Sequence, residues 1–174
     1  MKIGIGLPGN VPGTKGDLIL EWARRADAGP FSSLGTIDRL VYDNYEPLVL
    51  LSAAAAVTTR VRLMTSVLIA PVRDAVLLAK QAASLDALSG GRLTLGLGVG
   101  RREDDYQAVS GNFHRRGRRF EEQLAVMKRV WSVEGSVEGL PAPGPEPVQR
   151  GGPELLIGGF APAAIGRAGR WADG

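Results

Sequence analysis

The chain has 174 residues, of which 44% are hydrophobic and 22% are charged, and its formal net charge is +3. These values are ordinary for a globular domain, and the absence of cysteine excludes disulfides, thiolate catalysis and thiolate metal sites. The start of the chain lacks the pattern of a signal peptide, and its most apolar stretch, residues 48–57, is too short to span a bilayer. We therefore expect one cytoplasmic domain over residues 1–174, without membrane contact.

The densest group of basic residues consists of two arginine pairs within residues 115–119. Two glutamates follow at positions 121–122, so the pattern favours the solvated start of a helix over a nucleic-acid-binding patch. We expect no nucleic-acid partner.

Strand and helix patterns alternate along the chain. Strands are predicted at residues 2–8, 33–37, 61–70, 93–100 and 154–159, and helices at 17–28, 46–58, 74–88, 117–131 and 162–172. In the first helix, Leu18, Trp22 and Ala26 are predicted to face the core. Residues 101–117 are interpreted as a long polar loop, and residues 132–152, with a tandem SVEG repeat, as a surface linker. Five strand–helix units predict an α/β fold with a parallel sheet and right-handed crossovers.

The fourth strand, LTLGLGVG at 93–100, has leucine or valine on one face and mainly glycine on the other. Glycine in a strand often marks the close approach of a ligand or of another backbone. Because the first and fifth strands also carry glycines, we favour an empty volume above this face, with ordinary close packing of the sheet as the alternative.

Two glycine-rich segments are candidates for binding a phosphate. The segment Gly96-x-Gly98-x-Gly100 lacks the spacing of a dinucleotide-binding loop, and no helix follows it directly. The segment GGFAP at 158–162 joins a strand to a helix and leaves backbone N–H groups free at the helix start. We therefore expect an anion site at the second segment.

The stretch LLAKQAASLDALSGGRLTLGLGVG resembles the signature of the bacterial luciferase-like flavin and deazaflavin oxidoreductases. Further segments match in collinear order along the chain: KIGIGLP, VRLMTSVLIAPVRD, GNFHRRGRRFEEQLAVMKRVW and PELLIGGFAPAAIGRAGRWADG. The resemblance implies a (β/α)8 TIM barrel that binds the deazaflavin coenzyme F-420 or FMN at the carboxyl ends of its strands. It also implies hydride transfer to, or monooxygenation of, a small organic substrate. Of the two cofactors, the resemblance favours F-420 slightly.

The same resemblance implies where the cofactor binds. A non-prolyl cis peptide or bulge in the third strand would back the isoalloxazine ring at Ser66 and Val67. The other implied cofactor contacts are Gly98, Gly100, Gly158, Gly159, Phe160 and Ala163.

Two acidic residues are the implied catalytic positions, Asp38 after the second strand and Asp105 after the fourth. Arg39 stands where the family frequently has a histidine, and arginine cannot act as a general base at ordinary pH. The single histidine, His114, is expected to be exposed or structural. No metal site is expected.

A complete TIM barrel needs about 250 residues. With five units, this chain is expected to be an incomplete barrel, either a truncated product or a fragment. Its first and last strands would then be open edges with unpaired backbone groups, through which we expect homo-oligomerisation. The alternative to an oxidoreductase is a catalytically inactive half-barrel that acts as a binding or assembly partner.

Overall fold

The computed structural model describes residues 2–132 and 139–174. Strands and helices alternate as predicted, and the central part of the SVEG repeat, residues 133–138, lies outside the described residues. In chain order the elements are β1 (Gly4–Gly6), α1 (Gly16–Ala28), β2 (Ser33–Thr36), α2 (Pro47–Ala56), β3 (Arg62–Thr65), β4 (Leu68–Ile69), α3 (Ala75–Leu88), β5 (Leu93–Gly98), α4 (Glu103–Gln107), α5 (Arg116–Val130), β6 (Glu154–Ile157) and α6 (Pro162–Trp171).

All strand pairs are parallel and belong to one sheet. β1 pairs with β2, β2 with β3, and β5 pairs with β3, β4 and β6. β1 and β6 each have one neighbour among the described strands, so the sheet is open at both edges. The expected parallel α/β sheet of five units is confirmed, with the third strand divided into β3 and β4.

The two faces of the sheet differ in side-chain size. The leucines of β3 and β5 are fully buried in one apolar core with residues of the helices α1, α2, α3 and α5. The other face, which we call the inner face, carries smaller or polar residues that the strand register aligns. In one layer across the sheet these are Gly6, Gly35, Met64, Thr94 and Glu154.

Among the described helices, none combines the length and the apolar character that a membrane span requires.

Two arginines that precede strands donate hydrogen bonds to the free carbonyl groups at the ends of earlier helices. Arg60, before β3, donates hydrogen bonds to carbonyl groups at the end of α1, and Arg92, before β5, donates to carbonyl groups at the end of α2. The acceptors include Ala26, Asp27, Gly29, Ala55 and Thr58. Because the last carbonyl groups of a helix lack partners within it, each arginine replaces solvent at these positions.

Asp27 fixes the turn that leads into β3. Its carboxylate accepts hydrogen bonds from the backbone N–H groups of Thr59, Arg60 and Val61, each at 2.9 Å. Burial alone would raise the pKa of Asp27, but these bonds outweigh burial and lower the pKa to about 2.

Two details of the elements differ from the sequence-based predictions. In α1, Ile19, Ala23 and Ala26 are buried, whereas Leu18 is 53% and Trp22 38% exposed, so the buried orientation predicted for these two side chains is wrong. Among the helices, α1 packs mainly on α2, beside the edge strand β1. The predicted loop 101–117 contains the short helix α4 and a 3-10 turn.

The glycine face of β5 is filled by the chain itself. A Cβ atom on Gly96 would collide with the carbonyl oxygen of Thr65, and one on Gly98 would lie 2.8 Å from Cγ2 of Val67. The prediction of an empty volume above β5 is therefore wrong, and close approach of another backbone explains these glycines. A Cβ on Gly6 of β1, in contrast, would meet nothing within 4 Å.

Alanine substitutions should separate the filled part of the inner face from the open part. We expect Gly96→Ala to lower the free energy of unfolding by about 1–3 kcal/mol, because its Cβ meets rigid backbone. Gly6→Ala, the matched control, should change this free energy by less than about 0.5 kcal/mol. Urea unfolding of both variants measures the difference, and equal stabilities would show that β5 is not packed against the third strand.

Candidate functional site

A cavity of about 400 Å³ lies on the inner face of β1, β2 and β3. Gly6 and Gly35 keep this region open, since a Cβ on either residue would approach no atom closer than 3.9 Å. None of the described side chains that line the cavity is charged. The polar or larger side chains in the lining include Asn10, Ser33, Ile37, Met64 and Ser66. An open volume above strand glycines is thus found at β1 and β2, and not above β5 where it was expected.

The third strand is interrupted beside this cavity. The peptide bond between Ser66 and Val67 is cis, at the position where the resemblance implies a cis peptide or a bulge. Ser66 donates its backbone N–H to the carbonyl oxygen of Thr36 at 2.7 Å and lines the cavity. The side chain of Val67 instead lies against Gly98 and Gly158. Of the two predicted residues, Ser66 is the one that faces the open volume.

Asp38 is buried and bound by fixed donors. Its carboxylate accepts from the backbone N–H of Ile69 at 2.8 Å and from Nη1 of Arg73 at 2.6 Å. Arg73 also pairs with Glu46, and although burial opposes it, the two carboxylates raise the pKa of Arg73. The side chain of Asp38 is only 1% exposed. These contacts fix Asp38 against β4 and Arg73, and the catalytic role expected for it stays a prediction.

Asp105 has a similar environment. Its carboxylate accepts from Nε of Arg39 at 2.8 Å and from the backbone N–H groups of Leu40 at 2.9 Å and Val41 at 3.0 Å. The side chain is 1% exposed. The catalytic role expected for Asp105 likewise stays a prediction. Both carboxylates hold the loop that follows β2.

The neighbouring Tyr106 also stabilises this region. Its hydroxyl group donates to the carbonyl oxygen of Val99, and its ring packs edge-to-face on Phe113 at 5.3 Å. Burial raises the pKa of Tyr106 to about 12, so the hydroxyl remains a proton donor at neutral pH. His114, as expected, is exposed beside Phe113.

The segment between β6 and α6 has the geometry of an anion-binding loop. Gly158 continues the sheet by donating to the carbonyl oxygen of Leu97, and Gly159 has a φ of +147° that disfavours any other residue. Phe160 is fully exposed, and the carbonyl oxygen of Ala161 accepts from the backbone N–H groups of Ala164 and Ile165 in α6. Within the described part of the chain, no hydrogen-bond acceptor contacts the N–H groups of Gly159, Phe160, Ala161 or Ala163.

The cavity extends along β1 and β2 and past their carboxyl ends, and the loop at Gly159 lies at the carboxyl end of β6. Only β5 separates β3 from β6, and strand spacing of about 4.8 Å places these two strands about 10 Å apart. The structure therefore brings Ser66 and the loop at Gly159 to one end of the sheet. Gly98 and Gly100 are not part of the open volume, because Val67 and Ile69 lie against them.

Of the described residues that line the cavity, the sequence analysis named only Ser66 as a site residue, and the side chains that it missed include Asn10, Ser33 and Met64. The alternation of a strand places Ser33 on the same face as Gly35, and Met64 on the same face as Ser66. This parity was available in the sequence and could have identified both residues. In residues 2–132 and 139–174, no group of three or more His, Cys, Asp or Glu side chains is placed to hold a metal ion.

Similar proteins are found among curated sequences. An uncharacterized protein of Mycobacterium tuberculosis is 37% identical over 134 residues, which cover 74% of this chain and 46% of the relative. A phthiodiolone/phenolphthiodiolone dimycocerosates ketoreductase of Mycobacterium bovis is 31% identical over 140 residues, 75% of this chain and 36% of the relative. The chain thus spans less than half the length of these relatives.

Solved structures show the same fold. The monooxygenase RslO1 of Streptomyces bottropensis is 30% identical with a TM-score of 0.84, over 98% of this chain and 57% of that one. The oxygenating constituent of 3,6-diketocamphane monooxygenase from Pseudomonas putida, in complex with FMN, is 21% identical with a TM-score of 0.80, over 98% and 55% of the two chains. The coenzyme F420 dependent tetrahydromethanopterin reductase of Methanopyrus kandleri is 21% identical with a TM-score of 0.79, over 99% and 54%.

A family model described as luciferase-like monooxygenase matches residues 1–174, the whole of the chain. The parallel sheet, the interrupted third strand and the loop at Gly159 agree with this match. The chain belongs to the luciferase-like monooxygenase family.

Proposed function

We propose that this chain binds a flavin-type cofactor, either the deazaflavin coenzyme F-420 or FMN, and takes part in hydride transfer to, or monooxygenation of, a small organic substrate. The observation that carries the proposal is an uncharged cavity at β1–β3, together with a strand-to-helix loop with unpaired amides that follows β6, on the other side of β5. The FMN complex and the F420-dependent reductase among the similar structures support this cofactor class. The order of the two cofactors, F-420 before FMN, rests on the sequence resemblance.

The loop of residues 158–163 would hold the cofactor's phosphate. Its free N–H groups and the positive end of α6 both favour an anion. A side chain at Gly159 would meet Cβ of Ala164 at 2.6 Å, so glycine keeps this approach open. The residues present therefore fit a phosphate group.

The cavity would hold the flat ring and the substrate. When bound, the cofactor would supply the redox chemistry, as a donor or acceptor of hydride or in the activation of oxygen. The hydroxyl groups of Ser33 and Ser66 and the side-chain amide of Asn10 offer neutral hydrogen bonds for orienting a ligand. Because the described lining contains no acid or base, protons would reach the reacting groups through these hydroxyls or from water.

Substitutions in the phosphate loop test the proposal. We expect Gly159→Asp and Ala163→Asp each to weaken binding of FMN and F-420 at least about tenfold, because a carboxylate would face the phosphate. Ala163→Asp is the sharper variant, since aspartate in the first turn of α6 favours the helix. Absorbance and fluorescence titrations of both cofactors measure the affinities.

Gly169→Asp, on the same helix but at its other end, is the control and should bind like the wild type. It has open space around its Cβ position. Unchanged affinity of Ala163→Asp for both cofactors would show that the phosphate lies elsewhere. A wild-type chain that binds neither cofactor would remove the proposal altogether.

Asp38 and Asp105 position the rim of the cavity in this proposal. They anchor the loop after β2 to β4, α4 and two arginines. Since Ile37 of this loop lines the cavity, the carboxylates act on the site through backbone geometry.

We expect Asp105→Asn to lower the free energy of unfolding by about 3 kcal/mol, because it leaves the Arg39 guanidinium without its buried partner. Asp104→Asn, at the neighbouring and more exposed carboxylate, is the control and should cost much less stability, because solvent screens this ion pair. Chemical unfolding measures both. A stable Asp105→Asn protein that binds cofactor but has lost turnover would instead support direct catalysis by Asp105.

A second candidate function is that of an assembly partner. It is favoured by the outer edges of β1 and β6, with which no further described strand pairs, although Asp173 binds the backbone N–H and carbonyl groups of Leu155 at the edge of β6. Exposed apolar side chains flank these edges, with Leu18 53% exposed on α1 and Ile165 64% exposed on α6. We propose that a second copy of the chain covers these surfaces.

Sedimentation of the chain should then show a dimer, and Leu18→Glu together with Ile165→Glu should give a monomer, because burying the new charges would cost several kcal/mol. Val49→Glu, at an exposed position on α2, is the control and should leave the dimer intact. A wild-type monomer that binds cofactor would contradict the second candidate and retain the first.

A further inference from the structure

The charged side chains on the inner face of the sheet neutralise each other. Among the described strands, this face carries Arg62 at the start of β3 and Glu154 at the start of β6. Nη2 of Arg62 lies 3.0 Å from Oε2 of Glu154. Thr94 of β5 joins the pair, because its hydroxyl accepts from Nε of Arg62 at 2.8 Å and donates to Glu154 at 2.6 Å. The ion pair therefore lies across β5, on the side of β3 that faces away from β1 and β2.

The cavity at β1–β3 consequently offers no counter-ion to a ligand. None of its described lining side chains is charged, and the guanidinium that β3 carries on the same face is held by Glu154. An ion that leaves water for such a place loses much free energy unless a group of opposite charge pairs with it. A carboxylate, phosphate or ammonium group should therefore bind poorly in this cavity.

Neutral hydrogen-bonding groups in the cavity are free. In the part of the chain that the structure describes, the side chains of Asn10, Ser33 and Ser66 have no hydrogen-bond partner. They come from three places, the turn after β1, the start of β2 and the cis peptide after β3. Amide and hydroxyl groups can both donate and accept, and Ile37 and Met64 add apolar surface beside them. This combination suits a ligand that is polar but uncharged.

We propose that the cavity at β1–β3 selects an uncharged substrate, an organic molecule with an apolar body and a hydroxyl or carbonyl oxygen, and excludes carboxylates, phosphates and amines. The inference rests on the proposed function, because it names the substrate class of the same site. Ser33 is the position at which this selection can be changed. Its hydroxyl extends over Gly4 of the neighbouring strand, where a Cβ atom would collide with it, so a charged side chain at position 33 would lie on the cavity wall.

Three probes of similar shape test the selection by charge: cyclohexanone, cyclohexanecarboxylate and cyclohexylammonium. Each is titrated into the full chain saturated with FMN or F-420, whichever binds more tightly, and saturation-transfer NMR measures its affinity. We expect cyclohexanone to bind at least about tenfold more tightly than either ion, because neither ion finds a partner charge.

Opposite charges at position 33 should change this order. Ser33→Arg should raise the affinity for cyclohexanecarboxylate at least about tenfold, and Ser33→Asp should do the same for cyclohexylammonium, since each supplies the missing counter-ion. Val49→Arg, at an exposed position on α2, adds the same charge as Ser33→Arg outside the cavity and should leave all three affinities unchanged. If the substitutions at position 33 prevent folding, the order of the probes on the wild type decides alone.

Gly6→Leu tests whether the probe lies in this cavity. A Cβ at position 6 meets nothing within 4 Å, so the variant should fold, and its longer side chain should fill part of the volume. In cofactor-free samples we expect cyclohexanone to bind at least about tenfold more weakly to Gly6→Leu than to the wild type. Gly169→Leu, with equally open space on α6, is the matched control and should bind like the wild type.

Three results would overturn the inference and leave the cofactor proposal standing, since cofactor affinity is measured separately. The first is no measurable binding of any probe by the cofactor-loaded wild type. The second is binding of an ionic probe as tightly as cyclohexanone. The third is a cyclohexanone affinity that Gly6→Leu leaves unchanged, which would place the probe elsewhere. A chain that binds neither FMN nor F-420 would remove the proposed function and this inference with it.

Discussion

The close contact between the third strand and β5 determines where a ligand fits in this fold. Val67 lies against Gly98 and Gly158, and the carbonyl oxygen of Thr65 occupies the space that a side chain at Gly96 would need. β5 can therefore carry only glycine at these points. The chain's own atoms fill the inner face over β5, and the open volume is displaced to β1, β2 and β3. A ring in that volume and a phosphate at the loop after β6 would have to span β5, a distance of about 10 Å.

The buried carboxylates explain how the rim of the cavity keeps its shape. Asp38 joins the loop after β2 to β4, and Asp105 joins the same loop to α4. Each carboxylate has an arginine partner and at least one backbone donor. A buried charge is tolerated only when it is paired and hydrogen-bonded, so these two networks fix the backbone where they lie. In the proposed site the protein would orient the ligand through neutral groups, and the redox chemistry would come from the bound cofactor.

Most of the architecture was predictable from local pattern, and the details of the site were not. Alternating strand and helix periods predicted a parallel sheet, and the glycine pair at 158–159 before Pro162 predicted the loop with free amides. The empty volume predicted above Gly96 and Gly98 was wrong. Glycines on one face of a strand indicate that some group approaches closely, but they do not identify that group. Leu18 was misplaced because burial depends on which helix lies beside α1. The partners of Asp38 and Asp105 lie more than thirty positions away in sequence, and no local signal identifies them.

The arginines that start β3 and β5 have a consequence for how such barrels can be recombined. Arg60 donates to carbonyl groups at the end of α1, and Arg92 donates to carbonyl groups at the end of α2. Each arginine therefore joins its own strand–helix unit to an earlier one by hydrogen bonds. A cut between units would separate a helix end from the side chain that satisfies it. Exchange of segments between related barrels should therefore keep each arginine with the helix that it caps, and the natural module of exchange is longer than one unit.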